Sequence, residues 1–254
     1  LQISINHMIQ KIRIFSEELE RKKAEMMVAS QIQQSIIPEK IPAMNGYDLA
    51  AVSIPALEVG GDFYDIFSRD PGQYTLVLAD VSGKGVPAAL FMVLSRTVIR
   101  VLTRWMRKPV DILQSSNHIF IEDSGSVSFV TLFYALLDSE NNTIRYVNAG
   151  HNPPVVYRKS GELELLNPTG PVIGLLDTPQ YQDRMISLHP GDLLVIYSDG
   201  VTEAMNSSGE LFSEQRLHSL IRDHHDQTAG DLIQAILTGV HEFAGREPQS
   251  DDIT

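Results

Sequence analysis

The sequence predicts an α+β fold of layered sheets and helices, preceded by one long helix. The order of elements supports the layered body, because short strands and then two helices are followed by more strands and two closing helices. The absence of Gly and Pro before Pro38 supports the long helix. We therefore expect a helical linker at residues 1–37 and a single catalytic body at residues 45–254, and a chain of 254 residues can bury a full core.

The predicted N-terminal helix carries an apolar seam at alternating steps of four and three residues, which is typical of a coiled coil. Its positions are Leu1, Ile5, Met8, Ile12, Phe15, Leu19, Lys22, Met26 and Ala29, of which only Lys22 is not apolar. An amphipathic helix lying on its own domain is the alternative. A parallel homodimer is favoured because so long a helix would overhang one compact domain. Pro38 should end the helix, since proline disfavours helical geometry in the residue before it.

Residues 1–9 resemble the last helix of a HAMP signalling domain, with an Asn two residues before a Met. The resemblance implies a membrane-anchored sensor upstream, so we expect a cytoplasmic domain of a longer protein. The chain also stops at Thr254, inside what should be a continuing strand. We therefore expect a truncated C-terminal strand.

The elements of the body follow from periodicity and from the residues that bound each run. Short runs rich in β-branched and aromatic residues predict strands at 47–53, 63–68, 74–79, 130–137, 143–147, 154–157, 185–187 and 193–197. Apolar residues at helical spacing predict helices at 87–106, 110–124, 213–223 and 230–243. Asn141-Asn142 between two apolar runs indicates a hairpin.

Composition excludes several classes of protein. A formal net charge of −12 argues against nucleic acid as the main partner. The absence of cysteine excludes disulfides, thiolate zinc sites and cysteine nucleophiles, and fits a reducing compartment. No apolar stretch looks long enough to cross a bilayer, and no signal peptide is evident.

Four short segments carry aspartates: residues 60–65, 80–85, 198–200 and 250–254. Three of them directly follow, or lead into, an apolar run that predicts a strand. Strand ends can bring such carboxylates into one acidic pocket, which suits Mg²⁺ and Mn²⁺ because these hard cations prefer oxygen ligands. A metal-activated water would be the natural nucleophile there.

Five motifs stand in the order found in PP2C-type bacterial serine phosphatases of the RsbU/SpoIIE group, which this sequence resembles over residues 45–254. They are Gly-Gly-Asp-x-x-Asp at 60–65, Ala-Asp-Val-Ser-Gly-Lys-Gly-Val-Pro-Ala-Ala at 79–89, Asn-Ala-Gly-His-Asn-Pro-Pro at 148–154, Tyr-Ser-Asp-Gly-Val-Thr-Glu-Ala at 197–204 and Ser-Asp-Asp-Ile-Thr at 250–254. The resemblance implies a PP2C-like αββα sandwich, in which two antiparallel sheets are flanked by helices and a two-metal site lies at one end.

The resemblance also assigns roles to particular residues. Asp80 would bridge two Mn²⁺ or Mg²⁺ ions, Asp62 and the carbonyl of Val81 would serve one ion, and Asp199 and Asp251 the other. The implied substrate is a phosphorylated STAS-domain protein, an anti-sigma-factor antagonist. The coiled coil would pass a sensor signal to the site through residues 31–38.

Several neighbouring residues keep two interpretations. Asp65 and Asp252 either support a metal ligand or are simply exposed. Gly83 and Gly85 should let the backbone bend beside the metals. Lys84 either attracts substrate phosphate or is a solvated loop lysine, and His151 is either a general acid or the holder of a turn. Eukaryotic relatives have a histidine where Ser82 stands, so the general acid is open.

The motifs allow two other functions to be considered. A non-catalytic module that binds a phosphoprotein is the main alternative, although the intact set Asp62, Asp80, Asp199 and Asp251 counts against it. A diguanylate cyclase hairpin at 60–63 would need Glu-Phe where Phe63-Tyr64 stands, and it would leave the other aspartate motifs unexplained.

Overall fold

A computed structural model describes residues 2–38, 40–124 and 128–254, without the side chains of residues 2–6, 9, 123 and 124. Leu1 and the side chain of Ile5, which begin the predicted seam, lie outside the described residues. The same holds for most side chains of the HAMP-like segment. Those predictions stay predictions.

The long N-terminal helix α1 spans Gln2–Ile36 and stops just before Pro38, as predicted. The seam residues of its first half do not lie on the domain: Met8, Ile12 and Phe15 are 61–68% exposed and Leu19 is 44% exposed, whereas Met26 and Ala29 are partly buried. Among the described side chains, the first half of the helix therefore presents an exposed apolar row. The structure therefore does not favour the alternative in which the helix packs on its own domain.

Two antiparallel sheets form the body in the part of the chain that the structure describes. The five-stranded sheet has the order β1-β2-β3-β4-β7, and the three-stranded sheet the order β6-β5-β8. The strands are β1 Phe63–Asp70, β2 Gln73–Val81, β3 Val130–Asp138, β4 Thr143–Ala149, β5 Val155–Tyr157, β6 Leu163–Leu165, β7 Arg184–Ser187 and β8 Leu193–Val195.

Helices flank the two sheets, so the predicted sandwich is confirmed. α2 (Val86–Trp105) and α3 (Pro109–Ser124) share a buried cluster with the five-stranded sheet. α4 (Asp199–Thr202), α5 (Ser213–Asp223) and α6 (Ala229–Ala244) contribute to a second cluster with the three-stranded sheet. A third cluster lies between the sheets, joining residues such as Leu76 and Phe133 to Val156.

Alternation along β2 decides which way the site faces. Val77, Ala79 and Val81 belong to the cluster under α2 and α3, whereas Leu76 belongs to the cluster between the sheets. Since successive strand residues point to opposite faces, Asp80 shares the face of Leu76. The carboxylate predicted to bridge two cations thus lies at the end of the space between the sheets.

The expectation that no stretch could cross a bilayer is wrong for α2 on length and composition alone. This helix has 20 residues and a mean hydropathy of 1.6 over its most apolar window. It is nevertheless a helix of the domain core, because residues such as Ala88, Met92 and Ile99 are buried against the sheet.

The predicted strand at 47–53 does not form. The segment is tied by isolated bridges near its ends, Met44 with Tyr47 and Ile54 with Ile253. It runs along a largely apolar cavity of about 680 Å³ that β8 and α6 also line. A strand needs a hydrogen-bonded neighbour along its length, and none of the described segments supplies one here. The predicted strand continuing past Thr254 stays a prediction.

Candidate metal centre

Asp62 and Asp80 are brought together by the register of β1 and β2. Phe63 pairs with Ala79 across the two strands. Continuing this antiparallel register by one residue places Asp62 directly opposite Asp80, and opposite residues share a face. Burial raises the pKa of Asp62 well above its usual range, and the charge of Asp80 raises it further.

The C-terminal segment brings the other two carboxylates to the same end of the sandwich. Ser198 N donates to the carbonyl of Thr254 at 3.0 Å, and Thr254 N donates to Ser198 Oγ at 3.0 Å. Asp199, which begins α4, therefore lies beside the turn that contains Asp251. The pKa of Asp199 is raised by burial, with further contributions from Glu203 and Asp251.

The backbone of Gly200 packs against this C-terminal segment with no room for a side chain. A Cβ at Gly200 would lie 2.0 Å from the carbonyl oxygen of Asp252. The glycine therefore allows close approach of two backbone segments, each carrying a candidate ligand.

Asp252 is buried and organises the backbone around Asp62. Its Oδ2 accepts from Gly61 N at 2.6 Å and from Asp62 N at 3.2 Å, and its Oδ1 accepts from Ala56 N at 2.8 Å. Of the two interpretations of Asp252, the structure therefore supports the one in which it holds a candidate ligand. The sequence alone leaves this role open, because the three backbone partners of Asp252 are far away in sequence.

The carbonyl of Val81 lies against the glycine before Asp62. A Cβ at Gly61 would lie 2.8 Å from Val81 O, so only glycine lets these two backbone segments approach this closely. Gly83 and Gly85 follow in the same loop with φ of +97° and +72°, a region that side chains disfavour. The predicted sharp bend beside Asp80 is thus confirmed.

The carboxylates strongly influence one another. Burial raises the pKa of Asp80 to about 7, with the charges of Asp199 and Asp251 adding to the effect. One oxygen of Asp62, Oδ2, is fully buried and has no hydrogen-bond partner in the described structure. Like charges gathered in a buried place are costly unless a cation offsets them.

The donor set fits a hard divalent cation. Carboxylate and carbonyl oxygens are the ligands that Mg²⁺ and Mn²⁺ prefer, and the unpartnered Asp62 oxygen is a position where a cation would satisfy a buried charge. As they stand, no three or more His, Asp or Glu side chains among the described residues are arranged to enclose an ion.

Lys84 lies in the loop after β2 and brings a positive charge to the cluster of candidate ligands. Its Nζ lies 2.9 Å from Asp251 Oδ2 and donates to the carbonyl of Ser250 at 2.5 Å. The hydrogen bond to Asp251 raises the pKa of the Lys84 ammonium. Lys84 is therefore a counter-ion of a candidate ligand, although its side chain is still half exposed to solvent.

Ser82 and His151 are both engaged in holding the fold. Ser82 Oγ accepts from Phe129 N at 2.9 Å. His151 N donates to Asn148 Oδ1 at 2.8 Å, and its Nδ1 is 2.8 Å from Thr131 Oγ1. Burial lowers the pKa of His151 to about 4, so its ring is neutral near pH 7. Of the two interpretations of His151, the structure favours the holder of a turn.

Asp65 faces away from the site. It lies on β1, where Arg100 Nε is 2.9 Å from its Oδ2 and Arg96 Nη2 is 3.3 Å from its Oδ1. The two arginines belong to α2, so this buried ion pair ties the helix to the sheet. Asp65 is neither exposed nor in contact with the cluster of candidate ligands.

Comparison with known proteins decides the family. The model of the family described as Stage II sporulation protein E (SpoIIE) matches residues 70–254. The chain belongs to the SpoIIE family. It is 31% identical over 228 residues to "Phosphoserine phosphatase RsbU" of Bacillus subtilis (strain 168), covering 89% of this chain and 67% of that protein. The SpoIIE-family chain spans 41–67% of the lengths of three curated relatives that it matches.

Solved structures show the same architecture as this SpoIIE-family chain. The SiaA-PP2C domain of Pseudomonas aeruginosa superposes with a TM-score of 0.83 at 23% identity, covering 93% of this chain and 96% of that domain. RsbX in complex with magnesium gives a TM-score of 0.56 at 16% identity, covering 77% of this chain and 84% of that one. Family and fold together place the chain among PP2C-type phosphatases.

Proposed function

We propose that this domain is a metal-dependent protein phosphatase that hydrolyses phosphoserine or phosphothreonine. One observation carries the proposal: the register of β1 and β2 places Asp62 opposite Asp80, and Asp62 keeps a buried oxygen with no hydrogen-bond partner in the described structure. Burial and neighbouring carboxylates raise the pKa values of both groups, which supports a site built for added positive charge.

The proposed cofactor is a pair of Mn²⁺ or Mg²⁺ ions. Asp80 would bridge them, Asp62 and the carbonyl of Val81 would hold one, and Asp199 and Asp251 the other. Such a pair, when bound, supplies an ionised water as nucleophile and neutralises phosphate charge. The magnesium complex of RsbX supports the choice of a hard cation.

The remaining residues support these ligands or balance their charge. Asp252 accepts hydrogen bonds from the Gly61 and Asp62 amides, which fixes the position of the backbone that carries the Asp62 side chain. The ammonium group of Lys84 offsets the negative charge of Asp251. Ser82 Oγ accepts from Phe129 N, and a serine hydroxyl is too weak an acid to protonate a leaving oxygen well. The ring of His151 is buried and neutral, with its Nδ1 beside Thr131 Oγ1, so we assign neither residue as the general acid.

The proposed substrate is a phosphorylated STAS-domain protein. The similarity to RsbU, whose name describes a phosphoserine phosphatase, supports phosphoserine as the group that is hydrolysed. The acidic balance of the chain, −12 at pH 7, gives no reason to propose a nucleic acid instead.

We expect phosphate release from a phosphorylated STAS-domain protein to require Mn²⁺ and to fall more than ~100-fold in Asp199→Asn, since even residues that only support a metal ligand cost about 10–100-fold when removed. Released phosphate, measured with and without EDTA, checks this. The exposed Asp177 supplies a control, because Asp177→Asn should keep the parent rate. Binding of the phosphoprotein without phosphate release would favour the non-catalytic alternative.

We also propose that α1 forms a parallel homodimer that regulates the site. Its exposed seam residues Phe15 and Leu19 support this. Changing both to Glu should yield a monomer with altered activity, measured by light scattering and phosphate release. Ile14→Glu with Val28→Glu is the matched control, because both residues are apolar and more than half exposed but lie off the seam. A monomeric variant with parent activity would remove the regulatory role.

A further inference from the structure

Gln33 is the one buried side chain among the α1 residues whose side chains the structure describes. It is 7% exposed, whereas its neighbour Gln34 lies exposed. Its carboxamide makes two hydrogen bonds with one residue: Nε2 donates to Gly60 O at 2.5 Å, and Oε1 accepts from Gly60 N at 3.1 Å. The pair mimics the exchange of bonds between two strand residues, so it fixes the orientation as well as the distance of Gly60.

Gly60 leads directly into the segment that carries Asp62. The amides of Gly61 and Asp62 both donate to Asp252 Oδ2. Gly60 also packs closely against the Asp252 carboxylate, because a Cβ at Gly60 would lie 2.4 Å from Asp252 Oδ2. The three residues before β1 are therefore clamped between the end of α1 and the C-terminal segment.

A second contact ties the chain just after α1 to β1. Tyr64 Oη donates to the carbonyl of Pro38 at 3.1 Å, two residues beyond Asp62. Both contacts reach the start of β1, on either side of the candidate ligand. Because a buried carboxamide left without partners costs about 1–3 kcal/mol, a displacement of α1 would have to carry Gly60 with it or lose both bonds.

We propose that Gln33 is a positioning residue that couples α1 to the Asp62 carboxylate, so that the placement of the linker helix sets the cation affinity of the site. The proposal rests on the proposed function and adds to it a specific contact through which a helix movement reaches a ligand. In the alternative, Gln33 only anchors α1 to the domain. Its removal would then change the backbone at Gly60 but not the cation affinity of the site.

Hydrogen exchange of the whole chain in EDTA separates the two roles. In Gln33→Ala, we expect the amides of Gly60, Gly61 and Asp62 to exchange on the order of tenfold faster, because loss of ~1.4 kcal/mol is a factor of ten. In the matched control Gln34→Ala, they should exchange as in the parent. Gln33→Glu should exchange at least as fast as Gln33→Ala, since its buried carboxylate has no proton to donate and would face the acceptor Gly60 O.

The affinity for Mn²⁺, measured by calorimetry without substrate, gives the second readout. We expect it to weaken by about tenfold in Gln33→Ala and to stay unchanged in Gln34→Ala. Faster exchange confined to Gly60 with unchanged Mn²⁺ affinity would reduce Gln33 to an anchor and overturn the proposal, as would unchanged exchange at all three amides. Neither readout needs phosphatase activity, so a failure of the phosphate-release experiment would be recognised separately.

Discussion

Asp80→Asn is expected to abolish phosphate release and, in the metal-free protein, to raise stability at pH 8. The loss of activity should exceed ~100-fold because the change removes the proposed bridging ligand itself. The gain in stability follows from the surroundings of Asp80, whose pKa is raised to about 7 by burial and by Asp199 and Asp251.

The pH range of this effect follows from the two pKa values of Asp80. The unfolded chain releases the proton near pH 4, whereas the metal-free folded protein keeps it until about pH 7. Between these values the folded state binds more protons, so the free energy of unfolding falls as pH rises, and the loss is complete above pH 7. At about 1.4 kcal/mol per unit, the effect is at most ~4 kcal/mol. Asparagine cannot ionise and removes it.

Thermal melting in EDTA at pH 5 and pH 8 measures the difference. The parent should melt at a lower temperature at pH 8 than at pH 5, and Asp80→Asn should melt above the parent at pH 8. Asp177→Asn, at an exposed position, should follow the parent at both values. Identical melting of parent and Asp80→Asn at pH 8 would show that the carboxylates do not repel one another as described.

Gly200→Ala is expected to destabilise the fold by about 3 kcal/mol and to abolish Mn²⁺ binding. The added methyl would lie 2.0 Å from Asp252 O, 2.8 Å from Asp252 C and 3.2 Å from Asp251 O. All three are backbone atoms, so no side-chain rotation relieves the clash. The C-terminal segment must move, which breaks its hydrogen bonds to Ser198 and displaces two carboxylates.

Urea unfolding of the metal-free protein, with Mn²⁺ calorimetry, checks this prediction. Gly230→Ala is the control, because a Cβ there meets only Thr228 Oγ1 at 4.0 Å near the start of α6. Alanine favours helix over glycine, so this control should match the parent or be up to ~1 kcal/mol more stable. A Gly200→Ala protein as stable as the parent would mean that the two backbone segments are not in contact.

Elements with a strong local signal were predicted from the sequence. α1 had no Gly or Pro to interrupt it, and α5 was predicted with its observed bounds, 213–223. Short elements escaped notice because their patterns are too brief to be periodic: β6 has three residues and α4 has four. The segment at 47–53 failed for another reason, since strand formation depends on a neighbour that a local pattern does not reveal.

The candidate ligands could be predicted from the sequence, whereas the residues that support them could not. The ligands Asp62 and Asp80 stand in short motifs and could be named from the sequence. The support of Asp252 for Gly61 joins residues 191 positions apart, and that of Gln33 for Gly60 joins residues 27 apart. Hydrogen bonds between distant segments leave no periodic signal, so only the folded structure shows which side chains position the ligands.

The number of Mn²⁺ ions bound per chain tests the central claim most directly. Equilibrium dialysis of the parent and of Asp80→Asn, followed by metal analysis, would count them in the absence of substrate. We predict two ions per chain for the parent and at most one for Asp80→Asn, because the proposed bridge serves both ions. Two ions in Asp80→Asn, or none in the parent, would contradict the proposal that these aspartates form a two-cation site.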